Sequence, residues 1–252
     1  MELDFTPLTR EEIDAIAQYP IAALSNGLDL LGARPLNKGF MNPAIHEIIP
    51  RGKTYVGYAA TAKISCDTDP GSINAEANYL SYCAHVQRTL RPSISVVQDI
   101  DPLPVGALWG ELNVLTHKAL GCVAVVTNGG IRDLDELDDI DFGLFGGAVV
   151  TARAKLHIID YNCTIQVGGL EIHPLDLLAA DRHGVITIPH QFAHQLAEAT
   201  RLDFEHEKPL IDNVREVVSS GKELDLKDLA RWRSMTGALY AAGDTDHPLM
   251  RK

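Results

Sequence analysis

A chain of 252 residues with 46% apolar and 22% charged residues has an ordinary globular composition and is long enough to bury one large core. Its net charge of −12, without any Lys/Arg cluster, argues against a phosphate-gripping nucleic-acid surface. No run approaches the roughly 18 apolar residues of a membrane span, and "MELDFTPLTREEID" lacks a basic region followed by an apolar stretch. A cytoplasmic protein is therefore expected, with neither nucleic acid nor membrane as a partner.

In chain order, Thr9 and Glu12 form a capping box that opens a helix over 9–18. A second helix, "IAALSNGLDLLG", follows Pro20 and stops at Gly32. Residues 53–65, rich in β-branched and small side chains, predict a strand. "GSINAEANYLSYCAHVQRTL" has helical apolar spacing and ends before Pro92, and "SISVVQDI" predicts a short buried strand. Residues 110–120, "GELNVLTHKAL", predict a helix closed by Gly121, and "CVAVVT" the next strand. This strand–helix–strand order with short joints predicts a βαβ unit with a parallel pair.

Downstream, "GAVVTARA", "CTIQVGGLEI", "DLLAAD" and "GVITIP" predict short strands, so an α/β middle gives way to a mostly β part. From Pro189 the pattern is helical, with Pro209 expected to kink or divide the first segment. The expected organisation is a main domain over 1–189 with a C-terminal helical extension, 190–252, packed on it. The cysteines, Cys66, Cys83, Cys122 and Cys163, form no CxxC pair and sit in apolar contexts, as reduced core thiols do.

The stretch "GCVAVVTNGGIRDLDEL", residues 121–137, runs from a buried strand into charge. Asn-Gly-Gly predicts a tight turn, at the carboxyl end of a strand, where ligands bind in α/β sheets. There Arg132 offers a planar fork for a carboxylate, and Asp133 a hard oxygen ligand for Mg²⁺. An anionic, oxygen-rich substrate such as a 2-oxo acid suits that pair; an ordinary loop salt bridge is the bland alternative. Asp99 and Asp101 either stand near the site or mark a solvated strand end. His190 and His194 have i, i+4 spacing without the Glu of a metalloprotease motif, so a surface helix is expected. His173 and His183 read as turn residues, and Gly146-Gly147 and Gly168-Gly169 as turns or close-packing positions.

An acidic residue, twenty residues, Arg-Asp, two residues and a second acid run from Glu111 through Arg132-Asp133 to Glu136. This spacing is similar to the signature of the class II 4-hydroxy-4-methyl-2-oxoglutarate/4-carboxy-4-hydroxy-2-oxoadipate aldolases, whose superfamily also contains the regulator of ribonuclease E activity A. Three blocks resemble that family in order: "MNPAIHEIIPRGKTYVGYAATAK", "ALWGELNVLTHKALGCVAVVTNGGIRD" and "GGLEIHPLDLLAADRHGVITIP". The resemblance covers roughly residues 21–195.

It implies an RraA-like α-β-β-α swivelling-domain fold with a central mixed β-sheet, an appended C-terminal helical segment, and homo-oligomers, trimers or hexamers, with sites at subunit interfaces. It implies a divalent metal, Mg²⁺ or Mn²⁺, held by Asp133, with Glu136 binding a metal-bound water. Arg132 would bind the substrate carboxylate and stabilise oxyanion charge. Gly110 opens the helix whose Leu112 and Asn113 amides would receive the pyruvyl carboxylate, and Glu111 would serve proton transfer through water. The implied activity is retro-aldol cleavage of a 4-hydroxy-2-oxo acid, releasing pyruvate, or decarboxylation of oxaloacetate. The alternatives are a non-enzymatic regulator that binds a ribonuclease and a lyase acting on a sugar-derived acid. Three departures stand out: Asn128 replaces the usual Asp four residues before Arg132, Leu175 stands where Gly is common, and the C-terminal extension is longer than in minimal members.

Overall fold

The computed structural model describes residues 3–69, 71 and 74–240; the end of the expected helical extension, 241–252, lies outside the described residues. The elements run α1 (Arg10–Ala17), α2 (Ile21–Leu30), β1 (His46–Glu47), β2 (Tyr55–Ser65), α3 (Ala75–Arg88), β3 (Ser93–Asp99), β4 (Ala107–Trp109), α4 (Glu111–Ala119), β5 (Cys122–Ile131) and α5 (Leu134–Asp138). They continue with β6 (Gly143–Val149), β7 (His157–Tyr161), β8 (Ile165–Val167), β9 (Leu170–Ile172), β10 (Leu177–Asp181), β11 (Gly184–Ile188), α6 (His190–Ser220) and α7 (Leu226–Tyr240).

Local chemistry explains the helix boundaries. Glu12 N–H donates to Thr9 Oγ1 at 3.2 Å, and Thr9 N–H to Glu12 Oε2 at 2.7 Å, which closes the capping box of α1. Gly32 (φ +60) and Gly121 (φ +103) follow α2 and α4 with left-handed backbones that a side chain would strain.

Among the described residues one mixed sheet holds nine strands, in the order β1-β6-β5-β3-β2-β10-β11, with β4 added to β5 and β7 to β2. The parallel β3–β5 pair, joined through α4, is the expected βαβ unit. β2 is long enough to pair β10 over Tyr55–Tyr58 and β7 over Ala62–Ser65 along one edge. The sheet curls until β1 and β11 come into contact, so it is nearly closed. This is the expected mixed α/β fold with a C-terminal helical segment.

Its central strands are apolar on both faces because both faces are covered. Within β5, Val125 and Ile131 pack against α3 and α4 with Tyr82, Val86 and Val114. Ala124 and Val126 face the other way, into the interior with Tyr55, Phe145 and Val185. α1, α2 and the first turns of α6 bury a third cluster against Val56, Tyr58 and Ile186.

Four expectations need correction. β6 spans 143–149, not "GAVVTARA", and β7 was not expected. Of the two readings of Pro209, division is overturned, because α6 is one 31-residue helix with Pro209 inside it. Asp99 is no solvated strand end; it is 3% exposed. Asn128-Gly129-Gly130 makes no tight turn, since β5 continues to Ile131 with a register shift against β6 between Thr127 and Gly130. Gly130 is there for closeness: a Cβ would sit 2.4 Å from Val150 Cγ2 and 2.7 Å from Gly106 O.

α6 joins the core through Ala193, Leu196 and Ala199, crossing α2 where Gly27 meets Thr200. Leu196 is fully buried there. Leu196→Ala is expected to cost about 2–5 kcal/mol in chemical denaturation, as a large-to-small core change does. A loss below about 1 kcal/mol would mean that α6 is only loosely attached.

Candidate active site

The site is made by pairing β4 with β5. Ala107 lies opposite Gly130 and Trp109 opposite Ile131, and Arg132 N–H donates to Trp109 O at 2.9 Å. This register sets the start of α4, Gly110-Glu111, beside Arg132-Asp133. Asp133 adopts a left-handed backbone (φ 58, ψ 45) at the start of α5, a conformation Asp tolerates better than most residues. Its Oδ2 accepts the Glu111 N–H at 3.2 Å. Gly110 permits that approach, because a Cβ there would lie 2.4 Å from the same oxygen.

The Arg132 Nε–Asp133 Oδ1 distance is 3.7 Å, beyond a hydrogen bond. They form a partly exposed ion pair without a hydrogen bond, and both line a cavity of about 650 Å³. Gly110, Leu112 and Asn113 line the same wall. The first intrahelical bond of α4 is Val114 N–H to Gly110 O, so the Leu112 and Asn113 amides precede it and have no intrahelical partner. They belong to the positive end of the helix dipole.

The structure therefore brings Gly110, Leu112, Asn113, Arg132 and Asp133 to one cavity. Glu111 and Glu136 are exposed, and neither is among its lining residues. The opposite wall was not anticipated. Glu76 and Tyr79 come from α3, and Arg153, Lys155 and His157 from the segment entering β7. No local pattern marked them, and Arg153, Lys155 and His157 enter the site through the pairing of β7 with β2.

Behind the wall, Tyr79 donates its hydroxyl to Asn113 Oδ1 at 2.7 Å. Fully buried His117 meets Asn113 O through Nδ1 at 2.7 Å and the Tyr82 hydroxyl through Nε2 at 3.0 Å. The carbonyl requires Nδ1 to carry the proton, and in the neutral ring Nε2 then accepts from the Tyr82 hydroxyl. Burial pushes His117 down to about 4. An unfolded His takes up its proton near about 6.5, so as pH falls from there toward 4 the unfolded state binds a proton that the native state refuses. Stability is expected to fall in that window by up to about 1.4 kcal/mol per pH unit from this group. Melting curves of His117→Gln should be flatter there than those of the parent; equal slopes would assign the acid sensitivity elsewhere.

Other candidates find structural employment. Asn128 accepts the Asp99 N–H through Oδ1 (2.9 Å) and donates Nδ2 to the Asp99 carbonyl (2.8 Å). A carboxylate could not donate, so the amide suits this contact. His194 holds Glu12 Oε1 and Thr6 O, and His190 stacks on Phe5. Leu175 takes φ 70, the left-handed backbone that favours glycine. The four cysteines are free thiols, and among the described residues no helix is long and apolar enough to cross a membrane.

Known proteins resemble this chain in sequence and in architecture. The family described as RraA-like (Aldolase/RraA) matches residues 21–187. A Halalkalibacterium halodurans protein provisionally named 4-hydroxy-4-methyl-2-oxoglutarate aldolase is 27% identical over 222 residues, which cover 82% of this chain and 93% of that one. Protein DlpA of Legionella pneumophila is 24% identical over 78% of this chain, which spans only 32% of that protein's length. The crystal structure of Streptomyces coelicolor RraAS2, described as an unusual member of the RNase ES inhibitor RraA protein family, superposes with a TM-score of 0.63 at 19% identity, over 81% of this chain and 96% of that one. At that identity the likeness shows the fold alone.

Proposed function

Since the chain belongs to the RraA-like (Aldolase/RraA) family, we propose that its cavity is the active site of a divalent-metal-dependent carbon–carbon lyase acting on a small 2-oxo acid. The observation that carries this reading is the joint presentation of Arg132, Asp133 and the α4 amino terminus to one cavity, with guanidinium and carboxylate in an ion pair that no hydrogen bond closes. A family that includes a provisionally named aldolase supports it.

The residues fit a hard cation such as Mg²⁺ or Mn²⁺. Asp133 has one protein donor on Oδ2, and the glycine at 110 leaves that oxygen room. Asp133 would hold the ion together with waters, and exposed Glu136, three residues on, would reach it through a water. When bound, the ion supplies Lewis-acid stabilisation to the oxygens of the 2-oxo acid.

The chain does the rest. The Leu112 and Asn113 amides receive the pyruvyl carboxylate at the positive end of α4. Arg132 grips the acid and stabilises the negative charge that develops as the C3–C4 bond of a 4-hydroxy-2-oxo acid breaks. Decarboxylation of oxaloacetate develops the same charge, so one site serves both reactions. Cleavage also needs a base for the C4 hydroxyl proton. The cavity holds Asp69 and Glu76 besides Asp133, while Glu111 acts from outside the lining through a water. Leu112, 78% exposed, lines the cavity, an exposed apolar side chain that suits burial by a second copy in a homo-oligomer.

The test is release of pyruvate from oxaloacetate, and from 4-hydroxy-4-methyl-2-oxoglutarate, with Mg²⁺ or Mn²⁺. Metal-dependent pyruvate, abolished by chelator, is expected. No pyruvate with any divalent metal would reject the lyase and leave the ribonuclease-binding reading, which the charge of −12 would suit.

A further inference from the structure

At the carboxyl ends of β2 and β3, Cys66, Asp99 and Asp101 bring a thiol and two carboxylates within 4.8 Å of one another. None of the three lines the cavity or takes part in the lyase chemistry. Cys66 is 2% and Asp99 3% exposed. Asp99 Oδ1 accepts the Asp101 N–H at 3.0 Å, but its Oδ2 is buried without a hydrogen-bond partner. A native fold rarely leaves such an oxygen unsatisfied.

Asp101 is fixed in place. Its Oδ1 accepts from Ser65 Oγ at 2.6 Å, and its Oδ2 from the N–H groups of Cys66 (2.6 Å) and Asp67 (3.0 Å). A carboxylate has about four lone-pair sites, so these donors leave it one more contact to make.

We propose that Cys66, Asp99 and Asp101 form a second divalent-cation site, selective for a borderline-soft ion of the Zn²⁺ or Co²⁺ kind. A thiolate among the ligands disfavours Mg²⁺ and separates this site chemically from the all-oxygen one at Asp133. Three protein ligands leave a position for water, which can enter because Asp101 is partly exposed. Without a cation the cluster holds protons instead. Burial, with the neighbouring carboxylates, pushes the Cys66 thiol up to about 12, and burial pushes Asp99 up to about 6. The cation releases those protons to solvent, so its affinity rises with pH. Bound there, it ties the ends of β2 and β3 together beside the cavity wall, because the Cys66 carbonyl accepts the N–H of the cavity residue Lys155 at 3.2 Å.

The full chain, stripped with chelator and saturated with Mg²⁺, is titrated with Co²⁺. A thiolate-to-Co²⁺ charge-transfer band is expected to saturate at about one equivalent, to persist in Asp133→Asn and to vanish in Cys66→Ser. Absence of the band from the parent, or its survival in Cys66→Ser, overturns the proposal. Should Cys66→Ser fail to fold, Asp99→Asn decides. It must weaken Co²⁺ binding by more than the roughly 100-fold that outer-shell changes can cost, and a smaller loss overturns the site. Pyruvate release measured on the same samples separates the two readings. Lyase activity without the band rejects the second site alone, and the band without lyase activity rejects the proposed reaction alone.

Discussion

Asp133→Asn is expected to lower kcat/KM for pyruvate release by about 10³-fold, a loss of about 4 kcal/mol of transition-state stabilisation, with the fold intact. Asn is the informative replacement because it tolerates the left-handed backbone at φ 58 and its carbonyl can still accept the Glu111 N–H. Ala would add backbone strain of order 1 kcal/mol and blur the reading. What Asn removes is the negative charge that would hold the ion, so the loss should fall on kcat/KM and on Mg²⁺ affinity together. Steady-state kinetics across a Mg²⁺ series, with a melting curve as control, measures both. A variant within about tenfold of the parent at every Mg²⁺ concentration would remove Asp133 from the chemistry.

Gly110→Ala should produce a loss of about 10²-fold in kcat/KM with little change in stability, through one methyl group. Gly110 sits at φ −141 and ψ −175, extended backbone that any residue adopts, so the substitution carries no conformational penalty. The cost is steric. The new Cβ would lie 2.4 Å from Asp133 Oδ2, 3.2 Å from its Cγ and 3.3 Å from Arg132 Nε, so the carboxylate must move. Displacing a catalytic group by about 1 Å commonly costs about 10²-fold. The half-exposed Asp133 can swing toward solvent, which spares the core, and Ala lowers the entropy of the unfolded chain. Unchanged kinetics with a folded Gly110→Ala would show that the carboxylate need not hold its present position.

Much of the site could be read from spacing alone. Arg132 and Asp133 stand at the end of a strand in a strand–helix–strand unit, and the structure sets both on one cavity with the start of α4, while Glu111 and Glu136 lie outside its lining. The cap at Thr9 and the glycines after α2 and α4 are local stereochemistry, legible because each involves neighbours a few residues apart. Asn128-Gly129-Gly130 was misread for the complementary reason. Glycine's freedom predicts a turn, whereas here its lack of a side chain serves close packing against Val150 and Gly106, residues about twenty positions away. Pro209 likewise reads as a kink or a break, and α6 runs through it as one helix.

By itself the sequence determined the helices, the βαβ unit with its parallel pair and the Arg-Asp pair at a strand end, because apolar periodicity, caps and short connections act within a few residues of the chain. Only the tertiary structure decided that three residues of β4 pair with β5 and so set Gly110 against Asp133. It also brought Arg153, Lys155 and His157 to face them, through β7 on the edge of β2, and buried Asp99 beside Cys66. Those contacts join segments about twenty to a hundred residues apart, and their free energy comes from sheet register and shared burial, which no local window of sequence contains.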